Sequence, residues 1–396
     1  MISESMKTLC ANNSAIRVMF EEGNRLAALY GRENVYDYSL GNPYFPAPER
    51  VRQSIEAVLA EEEPNTIHGY MPNAGFPAVR QAVAENLNRR FGTAYSAENV
   101  IMTVGAAGGL NCVLRCLLNP GDEVLVFAPY FLEYGSYVRN FGATLKAIPS
   151  DSETFLPDPE ALRAAVGPKT RALILNTPNN PTGVIYPREV LAALGKVLEE
   201  KGAEYGAPIY IISDEPYREL AYDGREVPWL PSCCKNVIVG YSWSKSLSLP
   251  GERIGYLLIP SDIEDYENVV QGCTIAGRVL GFVNAPSLIQ LAVARCLDAS
   301  ADIAAYDANR KLLYNTVTAA GFSAVYPEGA FYLWMRAPGG DDKALCEKAK
   351  AYNLLLVPGS SFAGPGSVRL AYCVSPDMIR RSAAAFEKLA KEFHLK

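Results

Sequence analysis

Lys245 is the residue whose setting most directly suggests chemistry. It lies in the segment SWSKSLSLPGERIGY, which begins at Ser242, directly after an apolar run and between two serines. An exposed lysine is strongly hydrated, but one beside a partly buried site has a lowered pKa and can act as an amine nucleophile. Taken alone, Lys245 is better explained as a solvated surface residue, so the functional interpretation depends on its neighbours.

An aspartate and a tyrosine follow a second apolar run. Asp214 comes directly after PIYIIS, and Tyr217 lies three residues further on. A bare carboxylate buried at the end of such a run costs several kcal/mol unless a cation or hydrogen-bond donors meet it. Asp214 therefore needs a partner, and in a helical turn Tyr217 would face the same ligand. The alternative is that Asp214 caps the next helix.

Two loops supply further candidates. The segment NTPNNPTGVIYP from Asn176 is either a simple turn or a rigid loop that aims Asn180 into a site. The segment VGAAGGLN, from Val104, joins a predicted strand to a predicted helix, and small residues there let backbone N–H groups reach an anion. This phosphate signal is weak in isolation. The Gly-x-Gly-x-x-Gly dinucleotide pattern and the Walker-type Gly-Lys-Ser/Thr are both absent from the sequence.

The elements that must position these residues are strands buried on both faces. Six apolar runs with little polar alternation predict strands: VIMTV, EVLVFAP, RALILN, PIYIISD, NVIVGY and RIGYLLIP. Helical segments such as PEALRAAV and REVLAALGKVLEEKGAEYG alternate with them, which predicts α/β architecture with a mainly parallel, three-layer sheet. Ligands of such sheets bind beyond the carboxyl ends of the strands, where nearly all the unusual residues lie.

The two ends of the chain differ from its middle. Residues 1–50 hold a helical segment and then the turn-rich GNPYFPAP, and residues 296–396 hold a long helix, strand-like FYLWM, LLLVPGSSF and VRLAYCV, and a closing basic helix. We therefore expect a large domain over residues 51–295 and a smaller α+β domain built from residues 1–50 and 296–396.

Composition excludes several classes of protein. The net charge of -6 does not favour nucleic acid or anionic lipid. The nine cysteines are irregularly placed, and no His/Cys cluster suggests a metal. No apolar run approaches the roughly 20 residues that span a bilayer, and the N-terminus lacks the apolar core of a secretory signal. We expect a cytoplasmic protein with inert thiols, no metal, and neither a nucleic-acid nor a membrane partner.

The motifs in order resemble one family. GNP, YxPxxG, GAAGGL, PYFxxY, NNPTG, DEPY, SWSKxxxxxGxRxG and VRL are together similar to the class I/II aminotransferases of the fold-type I pyridoxal 5'-phosphate (PLP) enzymes. The resemblance covers the chain from about Asn12 to the C-terminus. The lysine signature followed eight residues later by arginine is highly specific when NPTG and DxxY precede it.

The resemblance implies a role for each cofactor-binding residue. Lys245 would hold PLP as a Schiff base and then move the substrate's α-proton, and Asp214 would keep the pyridine nitrogen protonated. Asn180 and Tyr217 would donate to the ring's phenolic oxygen, and Phe131 would cover the ring unless it is a core aromatic. The phosphate would be bound by backbone N–H groups and by side-chain donors: Gly105, Ala106, Ala107, Ser242, Ser244 and Arg253.

Further roles concern the substrate and a second subunit. The resemblance implies that Arg369, in SVRLAYCV, binds the α-carboxylate bidentately, with Gly41 supplying backbone beside it. Tyr70 would reach the phosphate of the neighbouring subunit in a homodimer with shared active sites, or it is a loop residue. Arg278 falls near a side-chain-binding arginine of dicarboxylate-specific relatives, with the register off by about one residue, and it would come from the neighbouring subunit. Ala106 and Ala107 stand where some relatives carry hydroxyl side chains.

The leading function is therefore amino transfer from an L-amino acid to a 2-oxo acid, in ping-pong order through pyridoxamine phosphate. A PLP-dependent lyase acting at the β-carbon would share every residue named. A non-catalytic PLP-binding regulatory module is the alternative of a different class, but the chain has no spare basic N-terminal domain for DNA. A nicotinamide oxidoreductase lacks its fingerprint. The sequence does not identify the donor or the acceptor.

Overall fold

The strands form one large sheet and two smaller ones in the computed structural model, which describes residues 2–11 and 15–395. In chain order the strands are β1 (Tyr36–Asp37), β2 (Val100–Thr103), β3 (Glu123–Ala128), β4 (Thr144–Pro149), β5 (Thr170–Asn176), β6 (Tyr210–Asp214), β7 (Val237–Ser242), β8 (Gly255–Leu258), β9 (Ala324–Val325), β10 (Tyr332–Arg336), β11 (Leu354–Leu355), β12 (Val357–Pro358) and β13 (Ser367–Ala371).

The large sheet has seven strands in the order β2-β8-β7-β6-β5-β3-β4. Strands β4, β3, β5, β6 and β7 pair in parallel, and β8 runs antiparallel to both of its neighbours. All six predicted strands are present. The mainly parallel α/β architecture is confirmed, and β4 is an additional edge strand.

Helices cover both faces of this sheet. In chain order the α-helices are α1 (Glu4–Ala11), α2 (Ala15–Tyr30), α3 (Glu49–Glu61), α4 (Pro64–His68), α5 (Pro77–Phe91), α6 (Gly105–Leu117), α7 (Glu133–Arg139), α8 (Pro159–Ala165), α9 (Arg188–Tyr205), α10 (Trp243–Ser246), α11 (Tyr266–Val279), α12 (Ser287–Ala294), α13 (Ile303–Ala320), α14 (Asp342–Lys350) and α15 (Pro376–Glu392).

Alternate residues of each central strand enter different cores. In β3, Val124 and Val126 pack into one hydrophobic cluster with α6 and α11, whereas Leu125 and Phe127 pack into the opposite cluster with α5, α9 and α12. Because both faces are buried, the sequences of these strands are apolar throughout and do not alternate between apolar and polar residues. The same burial leaves polar side chains only at the strand ends, where a site can form.

Residues from both ends of the chain share a further core. Tyr38 packs in one cluster with Tyr306 and Phe386, and β1 pairs in parallel with β11. Strands β12, β13, β10 and β9 form a four-stranded antiparallel sheet beside this cluster. This arrangement agrees with a smaller unit built from both termini. However, Trp334 joins the core of the large sheet, and the proposed boundaries at residues 51 and 295 stay a prediction.

Neither a metal-binding cluster nor a membrane-spanning helix is found in the part of the chain that the structure describes. No group of three or more His, Cys, Asp or Glu side chains there is arranged to hold a metal ion. No helix over residues 2–11 and 15–395 combines the length and the apolar character needed to cross a bilayer.

Candidate active site

A cavity of about 880 Å³ opens at the carboxyl ends of β5, β6 and β7. Most of the residues predicted to bind cofactor or substrate line it. They are Gly41, Ala106, Ala107, Phe131, Asn180, Asp214, Tyr217, Ser242, Ser244, Lys245, Arg253 and Arg369. They come from segments spread over more than 300 positions of the chain, and the sheet edge brings them together.

Lys245 is held just beyond the end of β7. Ser242 ends that strand and caps α10, because its Oγ accepts a hydrogen bond from the backbone N–H of Ser244 at 3.1 Å. The helix directs Lys245 into the cavity, where Nζ donates to the carbonyl of Gly41 at 2.5 Å. Burial lowers the pKa of Lys245 to about 8, and the positive charges of Arg369 and Arg253 act in the same direction. A substantial fraction of this amine is therefore neutral near physiological pH.

Asp214 ends β6 and is buried with one oxygen unsatisfied. The hydroxyl of Tyr134 donates to Oδ2 at 2.6 Å. Oδ1 is buried and has no hydrogen-bond partner among the described residues. Burial raises the pKa of Asp214 to about 7, although the Tyr134 hydrogen bond opposes the shift. A cationic N–H donor at Oδ1 would remove the desolvation penalty that this carboxylate carries.

The asparagine-rich loop after β5 is tied to Asp214. The side chain of Asn176 donates to the backbone carbonyl of Asp214 at 2.8 Å and accepts from the backbone N–H of Asn180 at 2.7 Å. Further along, Asn179 accepts from both the N–H and the hydroxyl of Thr182. These bonds fix the loop, so the side chain of Asn180 projects into the cavity.

Arg369 reaches the cavity from β13 of the smaller sheet. Its Nη1 donates to Oδ1 of Asn180 at 3.1 Å, and its Nη2 donates to the carbonyl of Ser39 at 2.6 Å. The guanidinium lies 4.4 Å from the ring centroid of Tyr332 and 4.6 Å from that of Phe362. Its Nε is buried without a partner among the described residues, so a donor remains free in a guanidinium that its surroundings hold in place.

Tyr217 and Tyr332 form a hydroxyl pair on the same wall. Their oxygens lie 2.9 Å apart, and burial raises the pKa of both phenols. Gly41 lies against the hydroxyl of Tyr332 so closely that a Cβ at this position would collide with it. Only glycine fits here, which explains the glycine of the GNP motif. Asp214 and Tyr217 are joined by a turn rather than by a helix.

The glycine-rich segment after β2 forms a compact corner with Arg253. Gly105 begins α6 with a φ of +72°, a conformation that favours glycine. A Cβ at Gly105 would lie 2.9 Å from a guanidinium nitrogen of Arg253. The hydroxyls of Ser242 and Ser244 lie 2.6 Å apart nearby on the cavity wall. Backbone N–H groups, a guanidinium and two hydroxyls thus surround the same corner.

Three predicted residues do not line the cavity of their own chain: Tyr70, Arg278 and Gly105. Tyr70 is 96% exposed, and Arg278 is exposed in the last turn of α11. Both were predicted to act on a neighbouring subunit, so a single chain does not test them, and their roles stay predictions. Gly105 is not on the cavity wall itself, although Ala106 and Ala107 after it are.

Sequence reasoning missed three residues that contact the predicted ones. Tyr134 donates to Asp214, Asn176 links Asp214 to the next loop, and Tyr332 pairs with Tyr217. Tyr134 belongs to the PYFLEY segment, and Asn176 directly ends a buried strand; either position could have identified the residue. Tyr332 lies inside an apolar strand of the other sheet, where an aromatic residue looks like core.

Comparisons with known proteins agree with this geometry. The family described as "Aminotransferase class I and II" matches residues 33–386. A solved structure of an amino transferase from Eubacterium rectale is 44% identical, with a TM-score of 0.97 and coverage of 100% of this chain and 99% of that one. The aspartate/prephenate aminotransferase of Thermus thermophilus is 33% identical over 354 residues, covering 88% of this chain and 89% of that protein.

A third relative covers nearly the whole chain. The aspartate aminotransferase of Pyrococcus horikoshii is 30% identical over 394 residues, with 96% of each protein covered. The similarity therefore extends over the cavity residues of both sheets and is not confined to one motif.

Proposed function

Because the chain belongs to the class I and II aminotransferases, we propose that its cavity binds PLP and transfers an amino group from an L-amino acid to a 2-oxo acid in ping-pong order. The observation that carries the proposal is a lysine, an unsatisfied aspartate and a half-satisfied arginine in one cavity: Lys245, Asp214 and Arg369. Asp214 lacks a partner at Oδ1, which the cofactor ring would supply, and Arg369 lacks an acceptor at Nε, which the substrate carboxylate would supply. Lys245 would react with the aldehyde of the cofactor.

The cavity residues fit PLP on chemical grounds. The unpaired Oδ1 of Asp214 is an acceptor for the protonated nitrogen of the ring, and that cation would offset the burial of the carboxylate. The corner formed by Gly105 and Arg253 offers backbone N–H groups and a guanidinium to a phosphate. Ser242 and Ser244 add hydroxyl donors. Phe131 lines the same cavity and would lie against the face of the ring.

Lys245 has the properties of a nucleophile and of a proton carrier. When bound, PLP supplies an aldehyde that captures amino groups and a ring that withdraws electrons from the substrate α-carbon. The lowered pKa of Lys245 keeps part of the amine neutral, so Nζ can attack a carbonyl and can later take up and return the α-proton. The Gly41 carbonyl holds Nζ in place while it is a free amine.

Arg369 would bind the α-carboxylate of the substrate. Asn180 and Ser39 hold two of its nitrogens, and the rings of Tyr332 and Phe362 exclude water from its faces. The free Nε–H, together with a second N–H of the fork, gives a carboxylate two parallel donors. Backbone at Gly41 lies beside the same position.

Tyr217 and Asn180 would orient the ring through its phenolic oxygen. The hydroxyl of Tyr217 is held by Tyr332, which leaves its position fixed before any ligand enters. The amide of Asn180 accepts from Arg369 through Oδ1, which turns its N–H₂ group away from that guanidinium. Asn180 thus keeps a donor for the cofactor, and Tyr217 would donate to it with the hydroxyl of Tyr332 as the donor of their pair.

We also propose a homodimer in which Tyr70 enters the phosphate corner of the other subunit. Its side chain is almost fully exposed, which is unusual for a large aromatic residue. Exposed apolar side chains also cluster at the end of α11, at Val279, Phe282 and Val283, beside Arg278. Exposed apolar side chains close together in the chain are typical of an interface, and a two-fold axis would place both Tyr70 residues equivalently.

The test is product analysis with a panel of amino donors. Purified holoenzyme is incubated with each L-amino acid and either 2-oxoglutarate or pyruvate, and both products are quantified. We expect equal amounts of a new amino acid and a new oxo acid, with aspartate in the panel because relatives are named for it. Lys245→Ala is the inactive control. Release of ammonia and pyruvate without a new amino acid would contradict the proposal in favour of a β-elimination lyase.

A further inference from the structure

One face of α7 carries a carboxylate into the cavity that the proposed function does not use. Glu133, Tyr134, Ser136 and Tyr137 all line the cavity, as expected for positions one turn apart on a helix. The hydroxyl of Tyr134 already donates a hydrogen bond to Asp214. Glu133 is half-buried, and among the described residues no cation lies within ion-pair distance of it and no hydrogen bond to its side chain is formed.

The other charged groups on the cavity wall already have partners or roles. Under the proposed function, Asp214 would pair with the ring nitrogen, Lys245 and Arg253 would hold the cofactor, and Arg369 would bind the α-carboxylate. Glu133 is the remaining charge on the described part of the wall. Its negative potential extends inward, because burial first and Glu133 next raise the pKa of the neighbouring Tyr137 to about 12.

The cavity that Glu133 lines is large and partly apolar. Its volume of about 880 Å³ lies in the upper part of the range of about 300–1,000 Å³ typical of ligand pockets. The apolar side chains of Leu9, Leu40 and Phe131 line it together with Glu133. An aliphatic stem that ends in a cation would match this combination of apolar wall and acidic group.

A simpler explanation is that Glu133 only stabilises α7. An acidic residue in the first turn of a helix gains about 0.3–1 kcal/mol from the helix dipole. Glu189 also lies in the first turn of its helix, as the second residue of α9, and it is exposed and outside the cavity. It therefore provides a matched control in which a first-turn glutamate loses its charge without affecting the cavity.

On the basis of the proposed function, we propose that Glu133 determines donor specificity by favouring amino acids whose side chain ends in an amino or guanidino group. The carboxylate would accept a charge-assisted hydrogen bond from that group while Arg369 holds the α-carboxylate. L-Lysine, L-ornithine and L-arginine are the donors with this chemistry. L-Norleucine has the same stem as lysine without the cation and is the reference donor.

The experiment measures the first half-reaction alone. Holoenzyme is mixed with each donor in the absence of acceptor, and kcat/KM is taken from the change in cofactor absorbance. We expect the wild-type protein to prefer lysine over norleucine on the order of tenfold, the low end for a hydrogen bond to a charged group. Glu133→Gln should remove most of that preference by slowing lysine alone, Glu133→Asp should keep part of it, and Glu189→Gln should leave both donors unchanged.

The possible outcomes separate the two proposals. The specificity role would be overturned if the wild-type protein used lysine and norleucine equally, as it would with a cation from a second subunit neutralising Glu133. It would also be overturned if Glu133→Gln lost the same activity with both donors. Absence of any absorbance change with every donor would instead contradict the proposed function. The absorbance of bound cofactor in each variant, measured before donor is added, verifies that the variant is folded and loaded.

Discussion

Replacing Asp214 with asparagine should change how the stability of the cofactor-free protein depends on pH. Burial raises the pKa of Asp214 from 3.8 to about 7, so the folded chain holds a proton there that the unfolded chain releases. The stabilising effect of that proton is complete below about pH 4 and declines as pH rises towards about 7. Asparagine cannot ionise, so this part of the pH dependence disappears in Asp214→Asn.

The magnitude follows from the size of the shift. Each pKa unit corresponds to about 1.4 kcal/mol, and roughly two units of the difference are traversed between about pH 5 and about pH 8. The wild-type protein should therefore lose about 2–3 kcal/mol relative to Asp214→Asn over that interval. Unpaired N–H groups of the new amide cost about 1–3 kcal/mol, but this cost is the same at every pH.

The assay is urea unfolding of the cofactor-free proteins at the two pH values. The informative quantity is the change with pH of the difference between wild type and variant. Asp262→Asn is the control, because Asp262 is exposed and outside the cavity. Parallel pH profiles for the wild-type protein and Asp214→Asn would refute the reasoning, since they would mean that Asp214 is ionised without penalty in the folded chain.

Four further predictions concern other residues assigned to the site. The rate at which cofactor-free protein binds added PLP at Lys245 should rise with pH and level off above about pH 8, because burial lowers the pKa of Lys245 to about 8. A rate that continues to rise up to the pKa of an ordinary lysine would contradict this. Peptide mapping after borohydride reduction identifies the lysine that carries PLP. Arg369→Lys should lower kcat/KM for all donors alike, because an ammonium cannot replace the two parallel N–H donors of the guanidinium. Steady-state kinetics that show a loss for one donor class only would disagree. Tyr70→Phe and Lys245→Ala should each be impaired, and their mixed dimers should regain activity that neither parent has; no recovery would place Tyr70 outside the neighbouring site. Arg278→Ala should penalise aspartate and glutamate by about 2–5 kcal/mol and spare neutral donors, because it truncates one partner of a buried charge pair. Equal losses across donors would place Arg278 outside that site.

The strands and the site residues that follow them were predictable for the same physical reason. A strand buried on both faces needs apolar side chains throughout, so Asp214, Asn176 and Lys245 stand out where the apolar runs end. Strand β4 was missed because it is an edge strand with several exposed positions, and its sequence TLKAIP lacks a long apolar run.

Contacts across the two sheets were not predictable. The pairing of Tyr217 with Tyr332, and of Arg369 with Asn180, depends on how the smaller sheet packs on the larger one. Nothing local in either segment specifies that distance. The PYFLEY segment singles out Tyr134, but its hydrogen bond to Asp214 joins positions 80 residues apart, so the sequence does not specify that partner.

The long separation between Arg369 and the residues that hold it has a consequence for synthesis of the chain. Its partner Ser39 lies 330 positions earlier. At about 5–20 residues per second, a ribosome makes Ser39 roughly 20–70 s before Arg369. Asp214 and Lys245 emerge within that interval, together with the strands that carry them. A nascent chain would therefore contain Lys245 and Asp214 before it contains Arg369, the residue proposed to bind the α-carboxylate of an amino acid.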